Sequence, residues 1–172
     1  MCIRDRPIIE CADYLETSPL GRAEWIKFFG LLYGKEVEAD SIFTEVEKNY
    51  TELRDKIGVL SSAPVVISEL KSGSAWYMPG GKSYMARFFK DAGAAYPWSD
   101  NTETGSIPLS FETVFNRAGK ADIWLIKSFH VSELSYRTLQ KEYAPYARFK
   151  AFREKKIYGL SLIHISEPTR PY

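Results

Sequence analysis

"PVVISELKSGSAWYMPGGKSYMARFF", Pro64 to Phe89, changes texture twice. Pro64 to Glu69 is a continuous apolar run of the kind buried on both faces of a parallel sheet. A glycine-rich stretch follows, and then Met85, Phe88, Phe89 and Ala92 at helical spacing, with Gly93 to end the helix. Strand, loop and helix in that order predict an α/β unit. The loop raises a chemical question, because Gly80-Gly81-Lys82-Ser83 looks like the tail of a phosphate-binding loop.

The full phosphate-loop pattern needs a glycine five positions before Gly81, where it opens the turn so that successive N–H groups converge on phosphate. Trp76 stands there. The pattern also needs an apolar strand ending in an aspartate that holds magnesium. Val65-Val66-Ile67 runs instead into Ser68-Glu69, and Ile123-Trp124-Leu125-Ile126 into Lys127. A small α/β enzyme holding a phosphorylated cofactor at Gly80–Ser83 is kept only as the alternative reading.

Downstream, Ser99 to Ser106 reads as a loop. Ser110 caps a helix over Phe111–Ala118, and Ala121–Lys127 is a second buried strand. Ser132 caps a further helix, Pro145 interrupts, and Phe149–Lys155 leads to a last strand at Ile157-Tyr158. The alternation predicts a doubly wound sheet with helices on both faces. Upstream, Ile8-Ile9-Glu10-Cys11 reads as the end of a strand, and Ser18-Pro19 as a cap and first-turn proline. The helix they open carries Trp25, Phe28, Phe29 and Leu32 near one face, and Gly34 can stop it. A second helix from about Lys35 to Lys56 has Ala39, Ile42, Phe43, Val46, Tyr50, Leu53 and Ile57 stepping by three or four. At 1.5 Å per residue it is about 30 Å long. It suits a packed surface helix or a bridge between two lobes.

The two ends read as foreign to the fold. Codons for Met1–Arg6 can be chosen whose reverse complement encodes Leu160–Ile165, as if one inverted DNA sequence flanked the rest. The pair resembles a transposon-end adapter, so residues 1–6 and 160–172 are expected to be translated adapter and to pack poorly. Setting aside Arg4, Arg6 and Arg170 from 23 basic residues, and Asp5 and Glu167 from 22 acidic ones, leaves 20 of each. A balanced charge argues against a general nucleic-acid binder. Cys2 is set aside with the ends, so Cys11 has no partner for an intrachain disulfide. No apolar run approaches the roughly 20 residues of a membrane span.

The catalytic inventory is thin. Any histidine-led triad would rest on His130, and a zinc site would lack company because Cys11 is remote in sequence. Glu36/Glu38 and Asp100/Glu103 read as solvated carboxylates. No catalytic residue, resident metal or cofactor is expected. Aromatic residues near predicted strand ends stand out instead: Trp76 and Tyr77 beside glycines, then Tyr96 and Trp98. Ligands of open α/β sheets sit at the carboxyl ends of strands. Trp and Tyr there suit a flat, partly apolar ligand, although core packing suits Tyr96 equally.

Tyr14–Leu53, Ser68–Ser83, "DAGA" (Asp91–Ala94), "PLSFETVF" (Pro108–Phe115), "ADIWLIK" (Ala121–Lys127) and "FKAFREKKIYG" (Phe149–Gly159) follow one another as in a known family. Together they resemble substrate-binding proteins of ABC importers, in the cobalamin and iron-siderophore cluster of periplasmic binding proteins. The resemblance implies two Rossmann-like lobes joined by one long helix, with ligand held between them. It places residues 7–34 at the end of the first lobe, 35–58 in the interlobe helix and 59–159 in the second, C-terminal lobe. Nearly all of the first lobe is then absent, so aromatic surface around Trp25, Phe28 and Phe29 is expected to be uncovered and the isolated chain to bind weakly. It implies a ligand wall of Ser72, Ser74, Trp76, Tyr77 and Lys82, and a glutamate, Glu112, that docks to the permease. Cobalamin binders carry a cleft tryptophan just before the helix that Ser110-Phe111-Glu112 begins, where this chain has Gly105, Ser106 and Ile107. The ligand stays open among cobalamin or another corrinoid, ferric siderophore and haem. The resemblance further implies a monomer with a permease partner, no nucleic acid, and a periplasmic, lipid-anchored or free, location.

Overall fold

The computed structural model describes residues 9–57, 62–127 and 134–160. His130, Ser132, residues 1–6 and all but the first residue of 160–172 lie outside them. The chain divides into two compact units, Met1–Thr51 and Glu52–Tyr172.

In the first unit, Ile9 to Cys11 form no strand, and a single 3-10 turn, Asp13–Leu15, follows. Helix α1, Pro19–Tyr33, starts where a cap and proline predict it. The Ser18 hydroxyl accepts from the Gly21 N–H at 3.4 Å, and Gly34 closes the helix at φ 63°, a left-handed conformation that suits glycine. Helix α2, Glu36–Ile57, follows at once and continues past Thr51, the last residue of this unit. A Cβ on Gly30 would overlap that of Ala39, so the absence of a side chain lets the two helices meet closely. Only Ala39 and Phe43 of α2 are buried, although its apolar stripe is far longer.

The second unit contains two sheets. Strands β1 (Val66–Ser68), β5 (Ile123–Lys127) and β6 (Ile157–Leu160) make a parallel sheet in the order β1-β5-β6. Val66 is in register with Ile123, and Trp124 with Ile157. β6 runs through Leu160, one residue beyond the predicted adapter boundary, where it pairs with Lys127. Strands β2 (Lys71–Ser72), β3 (Ala75–Pro79) and β4 (Ser106–Leu109) make a small antiparallel sheet. The expected glycine-rich loop is thus largely a hairpin, with Gly73 at φ 59° in its turn, and the expected loop over Ser99–Ser106 ends at the first residue of β4. Short strands of this kind carry too few alternating residues to show a clear period.

Helices α3 (Tyr84–Asp91), α4 (Phe111–Ala118), α5 (Tyr136–Glu142) and α6 (Lys150–Arg153) complete the unit, with a 3-10 segment at Ala144–Arg148. Ser83, Ser110 and Ser135 accept N–H bonds from residues three ahead, the short-range chemistry that makes serine a helix start. α5 is therefore capped by Ser135, three residues beyond the predicted Ser132. The core joins the sheets through aromatic rings. Trp76 of β3 lies 5.4 Å from Trp124 of β5, and Phe149 is 5.2 Å from Trp124, with Tyr146 completing the cluster. Such contacts add specific ring geometry to a large burial of apolar area.

Candidate ligand-binding face and the carboxyl edge of the sheet

Consecutive strand residues point to opposite faces, which decides the fate of Trp76 and Tyr77. Trp76 points inward: it is 0% exposed and its indole N–H donates to the Ser68 carbonyl at 3.1 Å. Tyr77 points outward and is 49% exposed. Trp76 is thus corrected from ligand wall to core, because both rings cannot serve one face of a strand. Tyr96 and Trp98 are buried as well, and the Tyr96 hydroxyl donates to the Pro79 carbonyl at 2.6 Å. Burial pushes the Tyr96 phenol far above its ordinary pKa, so it stays a neutral donor.

Ser72 is in register with Ala75, and Tyr77 with Pro108, so the outward face of the small sheet carries Ser72, Ala75, Tyr77 and Pro108. Ser74 lies in the hairpin turn, and Lys82 beyond Gly80-Gly81; both are exposed. Of the five predicted wall residues, Ser72 and Tyr77 share one face, Ser74 borders it, Lys82 lies just before the cap of α3, and Trp76 is elsewhere. Glu112 occupies the first turn of α4, exposed, where the unpaired N–H groups favour a carboxylate.

The glycine pair does not cradle phosphate. The Gly80 N–H donates to the Gly105 carbonyl at 2.7 Å, the Lys82 N–H to Glu103 at 3.0 Å and the Ser83 N–H to Gly80 at 3.0 Å. A phosphate loop needs such amides free. A Cβ on Gly80 would overlap the Glu103 carbonyl, and one on Gly81 the Asn101 carbonyl. Both residues are glycine because the 98–105 backbone lies against them, which removes the basis of the phosphorylated-cofactor alternative. Among the described residues no cluster of three histidine, cysteine or acidic side chains is placed to hold a metal.

The parallel sheet is tied at both edges by ion pairs. At the amino edge, Asp122 accepts from the Val65 N–H at 2.9 Å and from Lys150 at 2.6 Å. The Lys150 ammonium and that N–H hold the Asp122 carboxyl below its usual range. At the carboxyl edge, Glu69 meets Lys127 at 3.0 Å, with side chains only 21% and 32% exposed. In the sequence both residues stand only where a magnesium-holding aspartate would be required; their adjacency arises from the β1–β5 register. Glu69 has φ 64°, a left-handed backbone that costs a non-glycine residue about 1–2 kcal/mol. The turn is held by the Glu69 N–H on the Leu125 carbonyl at 3.0 Å and by the Trp124 indole on the Glu69 carbonyl at 2.8 Å. Beside it, the buried Ser68 hydroxyl has no hydrogen-bond partner among the described residues.

Comparison with known proteins supplies the family. A family model described as periplasmic binding protein matches residues 3–161. An uncharacterized lipoprotein of Methanocaldococcus jannaschii is 34% identical over 152 residues, 86% of this chain and 35% of that one. A second lipoprotein of the same organism is 27% identical over 84% of this chain and 38% of its own length. The chain therefore spans little more than a third of these two relatives. Among solved structures, an ABC-type Fe3+-hydroxamate transport system protein of Saccharomonospora viridis superposes with a TM-score of 0.70 at 13% identity, covering 92% of this chain and 54% of that one. S. aureus IsdE complexed with heme gives 0.67 at 20% identity over 87% and 58%, and the periplasmic heme-binding protein HutB of Vibrio cholerae 0.68 at 19% over 87% and 57%. These structural likenesses share the α/β fold, and with the family match they lead to one conclusion: this chain belongs to the periplasmic binding protein family.

Proposed function

We propose that the chain takes part in capture and delivery of a ligand for an ABC importer, without catalysis, in a periplasmic or lipid-anchored protein. The ligand is an iron chelate, haem or a corrinoid such as cobalamin. The observation that carries the reading is the outward face of β3, where Tyr77 stands exposed on the same face as Ser72 while the Gly80, Lys82 and Ser83 amides of the neighbouring glycine turn are committed. A half-exposed tyrosine on the same sheet face as the Ser72 hydroxyl offers a flat ring and a polar handle to a large planar or chelated ligand. Ser72, Ser74, Tyr77 and Lys82 form the ligand wall in this reading. The fold relatives whose names speak of Fe3+-hydroxamate and heme support the iron side of the ligand range. The exposure of the first unit's aromatic residues supports this reading: Trp25 and Phe28 are partly exposed and Phe29 is exposed.

Glu112 is assigned to permease docking, since an exposed carboxylate is available for an arginine of a partner. A titration tests the function. Ferrioxamine B, haemin or cyanocobalamin should be taken up, weakly, and released unchanged; magnesium-dependent ATP binding in their place would overturn the reading. Glu112→Gln should leave uptake intact and reduce co-purification with the permease; undiminished co-purification would return Glu112 to helix capping alone.

A further inference from the structure

The two ion pairs at the ends of the parallel sheet are built differently. Asp122 uses one carboxylate oxygen for Lys150 and the other for the Val65 amide, so it is a fixed tie between β1, β5 and α6. Glu69 meets Lys127 through Oε1 from a backbone turn in the left-handed region, which glycine would adopt freely. Two indole N–H groups, from Trp76 and Trp124, hold the carbonyls of Ser68 and Glu69 and so fix that turn from within the core. The pair lies at the carboxyl ends of adjacent parallel strands, the edge at which α/β sheets receive ligands. About a third of the Lys127 side chain remains open to solvent. One residue before Glu69, the buried Ser68 hydroxyl is unpartnered among the described residues.

We propose that Lys127 is an anion receptor for the ligand and that Glu69 occupies it until an acidic group of the ligand takes its place. The inference rests on the proposed ligand-binding function and narrows it to a ligand bearing a carboxylate. The rigid turn keeps a carboxylate beside Lys127 in the empty protein, so the partly buried ammonium is never left unpaired. An incoming carboxylate then exchanges one charge-assisted bond for another. Among the described residues Glu69 meets Lys127 through one carboxylate oxygen, whereas Asp122 uses both of its oxygens.

Haemin and its dimethyl ester share a ring and differ in two carboxylates, so they isolate the claim. Binding of each to the whole chain is followed by absorbance, with amide shifts of residues 68–70 and 125–127 as the local readout. Haemin should bind more tightly than the ester and shift those amides. Lys127→Gln should weaken haemin by about tenfold or more without affecting the ester, and Lys127→Arg should restore most of it. Glu69→Gln, which removes the internal competitor, should tighten haemin. Equal affinity of wild-type protein for haemin and ester, or haemin binding unchanged in folded Lys127→Gln, would overturn the receptor. If haemin fails to bind while ferrioxamine B or cyanocobalamin binds, the receptor is overturned and the importer function stands. If none of the four binds, the proposed function falls and the receptor with it.

Discussion

Two regions of this molecule use aromatic and aliphatic residues at similar density and reach opposite outcomes. In the β-rich unit, Trp76, Trp124, Tyr146 and Phe149 are all removed from solvent and touch one another. In the helical unit, Tyr33 is 79% and Val37 82% exposed, and Ile26, Phe29, Tyr33, Ala39 and Ile42 line an open concavity of about 450 Å³. Periodicity gives a helix its apolar stripe, but whether anything in the same chain covers that stripe is a tertiary fact. The difference teaches that a hydrophobic pattern reports a capacity for burial, and that burial needs a partner of matching shape.

The contrast is broken most severely at the aromatic cluster. Trp124→Ala leaves a large void among rings that cannot all move inward, and should cost about 3–5 kcal/mol in a denaturant melt of the β-rich unit. A loss below 1 kcal/mol would mean that the cluster is loosely packed. Next comes Gly80→Ala, whose methyl group would press into the Glu103 carbonyl. It should cost about 1–3 kcal/mol and shift the amides of residues 98–105, whereas a free glycine turn would accept it silently.

Legibility follows the same division. Ser18, Gly34, Gly93 and Ser110 were readable because caps and left-handed stops act within one turn of chain. The strands over Val66–Ser68 and Ile123–Lys127 were readable as apolar runs. The hairpin of β2 and β3 was not, because its strands are short and its glycines suggest a loop. β4, with Pro108 in its middle, carried even less signal. Trp76 was misplaced for the same reason: without knowing that residues 75–79 are a strand, nothing says that it and Tyr77 point apart. The Glu69–Lys127 pair, 58 residues apart in sequence, exists only through strand register.

Acid sharpens the picture of the β-rich unit. Asp122 has a lowered folded-state pKa, so its stabilising contribution is present above the ordinary aspartate value near 4 and is lost as pH falls through the folded value. Wild-type protein should lose stability below about pH 4 more steeply than Asp122→Asn, measured by melts across that range. Parallel pH profiles would remove Asp122 as the titrating tie. The smallest effect belongs to the helical unit. Val37→Ser, at an exposed position, should change stability by no more than about 0.5 kcal/mol; a larger loss would show that the side chain is covered in solution.

The most direct test of the account asks which face of β3 meets the ligand. Tyr77→Ala removes an exposed ring, so the melting temperature of the β-rich unit should stay close to wild type while affinity for the bound chelate, haem or corrinoid falls by about 1–3 kcal/mol. Affinity unchanged in folded Tyr77→Ala protein would contradict the account, because the outward face of β3 would then be no part of the site.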